Sequence, residues 1–318
     1  MGTPRETAPA VTVDGRDGPA DAHVGAAASD GMLALVTAAT SFGVMALGVR
    51  IAAADLPGPQ IAFFRFSGSL LLLLLLAGRT AIVPQRASYA RLVVRGLLGA
   101  AGITLQFIAI ARAGAGTATM LHSTYPILTG LLAIPLLGER LTARTAAALP
   151  LAVAGVVVVV GLGDPAKGAA DLEGGALASL TGACFAAGAI IAARHLRRIE
   201  SASLITTWFM AVGVIVTAPS LLLGLPPFSL RLVLALAATT VASLAGQWLM
   251  HHALGRVEAA RAGLVLMGNV VAATVLEALW FGEPVAAHRV VGGVIVIAAV
   301  WLSTSAPART PIADPDAE

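Results

Sequence analysis

Long apolar runs alternate along this chain with short polar or Gly/Pro-rich breaks. Crossing a hydrocarbon core takes about 20 mostly apolar residues. Ten stretches fit that description: 31–49, 60–77, 93–111, 115–137, 146–163, 174–193, 203–224, 232–254, 262–281 and 288–304. The run Ser69–Ala77 holds no polar residue after its first. The breaks carry turn chemistry, as in Asp55–Pro59 (DLPGP) and Gly224–Pro227 (GLPP). The longest break, 164–173, holds Asp164, Pro165, Lys167, Asp171 and Glu173 and reads as a central linker. The pattern predicts an all-α integral membrane protein of ten transmembrane helices. Residues 1–30 and 305–318 read as disordered tails. The first resembles no signal peptide, so the first apolar helix is expected to insert the chain.

Composition supports the bilayer as solvent. Of 318 residues, 58% are hydrophobic and 12% charged, against roughly 25% charged in a soluble domain. The mean hydropathy is +0.88. A pI near 9.7 raises the question of nucleic acid. Basic residues stand singly or in small groups between apolar runs rather than in a patch, which excludes that partner. They serve as topology signals instead. With the N-terminus inside, 14 of the 20 Lys and Arg fall on the inner side, five on the outer, and Arg65 within a span. That bias puts both termini in the cytoplasm and the protein in the cell membrane. The single cysteine, Cys184, excludes a disulfide framework or a cysteine-rich metal site.

A shift of 144 residues aligns the chain with itself. Leu33, Ala34, Thr37 and Arg50 fall on Leu177, Ala178, Thr181 and Arg194. Ala101, Gly102, Leu105, Ala109 and Arg112 fall on Ala245, Gly246, Leu249, Ala253 and Arg256. Gly138-Glu139 falls on Gly282-Glu283. The chain therefore divides into a first repeat, 31–163, the linker 164–173, and a second repeat, 174–304. Each repeat holds five spans, so the second enters the membrane upside down. The loop arginines agree: four follow the second span, and Arg231 alone follows the seventh. Two inverted five-helix repeats suit alternating access about a central site.

These residues reach a recognisable pattern. Pro59 is followed by Phe64-Arg65, Tyr125-Pro126 lies in the fourth span, and Leu137–Thr142 (LGERLT) leads into the fifth. Phe281-Gly282-Glu283-Pro284 repeats that last motif. The chain resembles the EamA-type transporters of the drug/metabolite transporter superfamily over about residues 31–304. One departure is Val270, which stands where the repeat would put a second Pro126. The resemblance implies secondary transport, export or uptake, of a small metabolite such as an amino acid or a related amphipathic compound, with export the expected direction.

Charged side chains at mid-helix cost about 2.5–3.5 kcal/mol in lipid and need a reason. Arg65 lies roughly 8 Å, and Glu277 about 6 Å, inside the outer ends of their spans. An ion pair between them is expected to gate or anchor substrate. Gln106, His122 and Tyr125 form an outer-half cavity group, with Pro126 freeing a carbonyl beside them. Trp208, Gln247, His251 and Asn269 form an inner-half group, in which Gln247 and Asn269 bond each other or a substrate. His251 and His252 are expected to snorkel at the inner interface. Glu139 and Glu283 complement helix N-termini, and the stripe Gly174, Ala178, Gly182 and Ala186 serves packing.

No Walker A loop, HExxH or GxSxG is present, so the chain reads as neither an ATP-driven machine nor an enzyme. A membrane enzyme acting on lipid and a non-transporting scaffold are the alternative readings. The expected partners are a small molecule and the lipid bilayer, with a homodimer left open. No cofactor is expected, and proton coupling stays open.

Overall fold

Within hydrocarbon a backbone group has no water to bond, so spanning segments fold as helices. The computed structural model describes residues 19–77, 83–84, 88–122, 124–138, 142–160, 169–282 and 287–304, and among these every regular element is helical. The helices are α1 (Pro19–Ala52), α2 (Gly58–Ala77), α3 (Tyr89–His122), α4 (Tyr125–Leu137), α5 (Ala143–Val160) and α6 (Ala169–Leu196). Then come α7 (Ala202–Thr217), a 3-10 turn (Ala218–Leu223), α8 (Leu230–Leu254), α9 (Ala259–Leu266), α10 (Gly268–Phe281) and α11 (Ala287–Thr304). Among the described residues seven helical stretches are long and apolar enough to cross a membrane, with α9 and α10 counted as one. Three further helices, α4, α5 and α11, are apolar but shorter.

Several boundaries depart from the sequence reading. α1 begins at Pro19, so residues 19–30, expected in a tail, are helical. Proline suits a first helical turn, and the Ala-rich stretch behind it has high helix propensity. α6 likewise begins at Ala169, inside the expected linker. The break expected between the third and fourth spans, near Arg112, is helical backbone in α3, which runs for 34 residues. Ala111 and Ala113 favour that outcome, where the second half has Gly255 and Val257 at a turn. Even so, α3 is not straight. Gln106 and His122 both stand against Ser179 of α6. A straight helix would separate them by about 24 Å, so the chain doubles back between them.

Serine caps begin two of the helices: Ser201 accepts from the Leu204 N–H at 3.1 Å, and Ser229 from the Leu232 N–H at 3.2 Å. Buried Gln60 ties the start of α2 to the far side of the 3-10 turn, donating to the carbonyls of Ser220 (3.1 Å) and Gly224 (2.6 Å). Large apolar residues such as Leu75, Ile215, Leu279 and Trp301 are exposed, as lipid-facing positions require.

Contacts between the halves exchange partners under the 144-residue shift. A Cβ on Gly246 of α8 would lie 2.7 Å from Phe42 of α1; Gly102 of α3 correspondingly meets Gly182 and Ala186 of α6. A Cβ on Gly68 of α2 would lie 2.7 Å from Thr240 of α8, and one on Gly96 of α3 would lie 2.7 Å from Val212 of α7. In each pair, shifting both residues by one repeat length gives the other contact. The small-residue stripe of α6 thus meets a glycine of α3, as close helix packing requires.

Candidate functional site

Ser243, Gln247 and His251 recur at four-residue spacing on α8 and so share one face. All three are buried. Facing the two ends of this row are two arginines from different helices. Arg65 of α2, 1% exposed, donates through Nε to the Ser243 hydroxyl. Arg95 of α3, 2% exposed, donates through Nη2 to His251 Nε2 at 2.9 Å.

A guanidinium only donates, so His251 Nε2 must accept and the proton sits on Nδ1. That N–H donates to Thr206 Oγ1 of α7 at 2.7 Å, and the threonine hydroxyl donates to the Ala202 carbonyl at 2.7 Å. His251 is therefore held neutral in a fixed tautomer. It does not snorkel, as the sequence reading expected: Arg95 and Thr206 satisfy both ring nitrogens inside the protein. His252, its neighbour, stacks on Trp248 with ring centroids 5.5 Å apart.

A chain of ring contacts through two phenylalanines links the arginines. The Arg65 guanidinium carbon lies 5.0 Å from the Phe66 ring centre, and that of Arg95 4.4 Å from the Phe209 ring centre. Phe66 and Phe209 meet edge to face at 5.3 Å. Gly213 makes room for Phe66, since a Cβ there would lie 2.5 Å from the ring. Several polar atoms of the row remain unused. Arg65 Nη1 and Nη2, Arg95 Nε and Nη1, and Gln247 Oε1 have no hydrogen-bond partner among the described residues. Nor does any described carboxylate pair with either arginine.

The outer-half group is brought together in part. Ser179 donates to Gln106 Oε1 at 3.4 Å, and His122 stands against the same serine. The His122 and Tyr125 rings lie 5.6 Å apart, and His122 Nδ1 has no partner among the described residues. Pro126 falls at the start of α4, where its missing N–H costs nothing. Gly263 of α9 packs on it, a Cβ there coming within 3.2 Å.

The inner-half group is not assembled as expected. Trp208 lies edge-on to Tyr89 at 5.5 Å, within a cluster of Leu92, Leu196, Leu204 and Ile205. No hydrogen bond joins Gln247 to Asn269 among the described residues, because α8 and α10 pack chiefly on other helices. Glu277 belongs to α10, and its side chain lies outside the described residues. α10 packs chiefly on α1 and α11, and α2 on α7, α8 and α3. Glu139 and Glu283 also lie outside the described residues. The glycines before them, Gly138 (φ 68°) and Gly282 (φ 66°), cap α4 and α10 in the left-handed conformation.

Sequence reasoning missed Arg95, Ser243 and Thr206. Arg95 had been counted among inner-loop arginines, although it lies well inside α3. The four-residue spacing of Ser243, Gln247 and His251 was the available signal, and it marks one buried face.

The EamA-like transporter family profile matches this chain twice, over residues 29–161 and 173–305. Among similar proteins are the pseudopaline exporters CntI of two strains of Pseudomonas aeruginosa. Each is 30% identical over 270 residues, covering 85% of this chain and 94% of the relative. A solved crystal structure at 20% identity shares the fold, with a TM-score of 0.73 over 87% of this chain and 96% of its own. With both halves matched, the chain belongs to the EamA-like transporter family.

Proposed function

We propose that the chain is a secondary transporter of ten membrane spans in two inverted repeats, exporting a small metabolite from the cell. Membership of a transporter family makes it a multi-pass membrane transporter rather than an enzyme. Export is carried over from the similar proteins, which are named exporters. The inverted arrangement is supported by the exchange of contacts under the 144-residue shift and by the reversal of α3 between Gln106 and His122.

One observation carries the transport reading. A buried polar row joins α2, α3, α7 and α8, helices of both repeats, and leaves arginine donors and a glutamine acceptor unused among the described residues. Burying polar groups without partners is costly, so a ligand that uses them is the natural complement.

The two ends of the molecule differ in a way alternating access would produce. Arg194 is buried and donates to the Leu254 carbonyl, closing α6 onto the C-terminus of α8. Its counterpart one repeat earlier, Arg50, is exposed, with its guanidinium 4.4 Å over Phe281. We read this as a state closed at the cytoplasmic end.

Metabolite profiling of medium from cells expressing the chain tests export directly. A small molecule should accumulate outside relative to cells carrying an empty vector, and not with Arg65→Gln. Profiles equal to the vector would overturn export. Topology is tested on a Cys184→Ser background. Leu225→Cys should react with an impermeant thiol reagent added outside and Arg198→Cys only from inside; the reverse would overturn the orientation.

A further inference from the structure

The buried row discriminates among substrates, and the inference drawn from it rests on the transporter reading above. Its two guanidiniums are held by residues eight positions apart on α8, about 12 Å along the helix. Placed end to end, the steps through Phe66 and Phe209 cap the separation of the guanidinium carbons at about 15 Å. The guanidiniums bond α8 about two turns apart, at Ser243 and His251, so each offers a carboxylate site of its own. Each arginine has only a neutral partner, Ser243 or His251, and each keeps two guanidinium nitrogens unbonded among the described residues. Two buried cations close enough to repel each other call for negative charge from outside the described protein. Carboxylates fit, because guanidinium forks bind them in two-point geometry. Gln247 sits one helical turn from both Ser243 and His251, and its Oε1 acceptor is unused.

We propose that the transported molecule is a small dicarboxylate, one carboxylate taken by Arg65 and the other by Arg95, with an N–H donor between them for Gln247. The serine and histidine of α8 orient the guanidiniums that receive the two charges and set their spacing.

The test uses purified full-length protein in lipid nanodiscs and four probes of similar length. These are pimelate, its amino-interrupted analogue 3,3′-iminodipropionate, hexanoate and 1,5-diaminopentane. Binding is read as thermal shift and by titration calorimetry. The dicarboxylates should bind at least about tenfold more tightly than hexanoate, the imino compound best, and the diamine not at all. Arg65→Gln and Arg95→Gln should each remove the dicarboxylate preference. Should either fail to fold, Gln247→Leu provides a milder arm: it should abolish the advantage of the imino compound over pimelate. Equal binding of pimelate and hexanoate, binding of the diamine, or an imino advantage that survives Gln247→Leu would overturn the proposal. Chain-dependent export of a molecule without two carboxylates would sink the substrate class and leave the transporter standing. The expected ranking without any export would sink the transporter and leave the site standing.

Discussion

At one contact between the repeats α2 lays Arg65 against Ser243 of α8; at its counterpart α7 lays Phe209 against Gly99 of α3. The two contacts are related by the 144-residue shift, residue for residue. A bulky side chain reaches a small one in both, yet one pair is a charged hydrogen bond and the other an apolar fit. A Cβ on Gly99 would come within 2.6 Å of the Phe209 ring, so that fit leaves no slack. The repeat therefore holds shape in common and lets chemistry differ, and the polar version belongs to one copy alone.

The sharpest way to break this comparison is to give the first copy the chemistry of the second. Arg65→Phe with Ser243→Gly should leave the melting temperature within about 4 °C of the parent. Transport should fall at least about tenfold. Retained transport would mean that the charge at this position is not used. Next in size is Gly213→Ala, which pushes a Cβ into the Phe66 ring. It should destabilise by about 1–3 kcal/mol in thermal or denaturant melts, and Phe66→Leu should return part of that. A smaller effect compares the halves directly. Gly68→Ala against Thr240 and Gly96→Ala against Val212 should cost alike, about 1–2 kcal/mol each. Thr240→Ala and Val212→Ala should relieve the respective losses. Unequal costs or crossed rescue would argue against equivalent packing. Smallest is Ser201→Ala, which removes the cap of α7 and should cost about 1 kcal/mol. The equivalent position before α2 is Pro57, which offers no such cap.

The helices were legible because hydrocarbon tolerates only long apolar runs, and such runs stand out in one dimension. Arg65 was legible for the same reason, as a charge inside a run. Arg95 was not. It follows a cluster of loop arginines, and only the packing of α7 and α8 shows that its side chain turns inward onto Phe209 and His251. Ser243 was invisible because a serine is unremarkable in a small-residue span. For Trp208 a large aromatic suits a cavity wall and a packing cluster equally well, and Tyr89, which meets it edge-on, is distant in sequence. The reversal within α3 was legible as a break, since Arg112 interrupts the run. Its backbone stayed helical because alanine flanks that arginine on both sides.

Gly138 and Gly282 end α4 and α10 in the same left-handed turn, with φ of 68° and 66°. They begin the two Gly-Glu pairs that made the repeat conspicuous. What the two copies of this chain spell most alike is thus a full stop, a place where a helix must halt and an L side chain would strain the backbone. Kinship inferred from such punctuation groups proteins by how their sentences end. The proposed cargo contact is written in the words that are not repeated, and Arg65 is one of them.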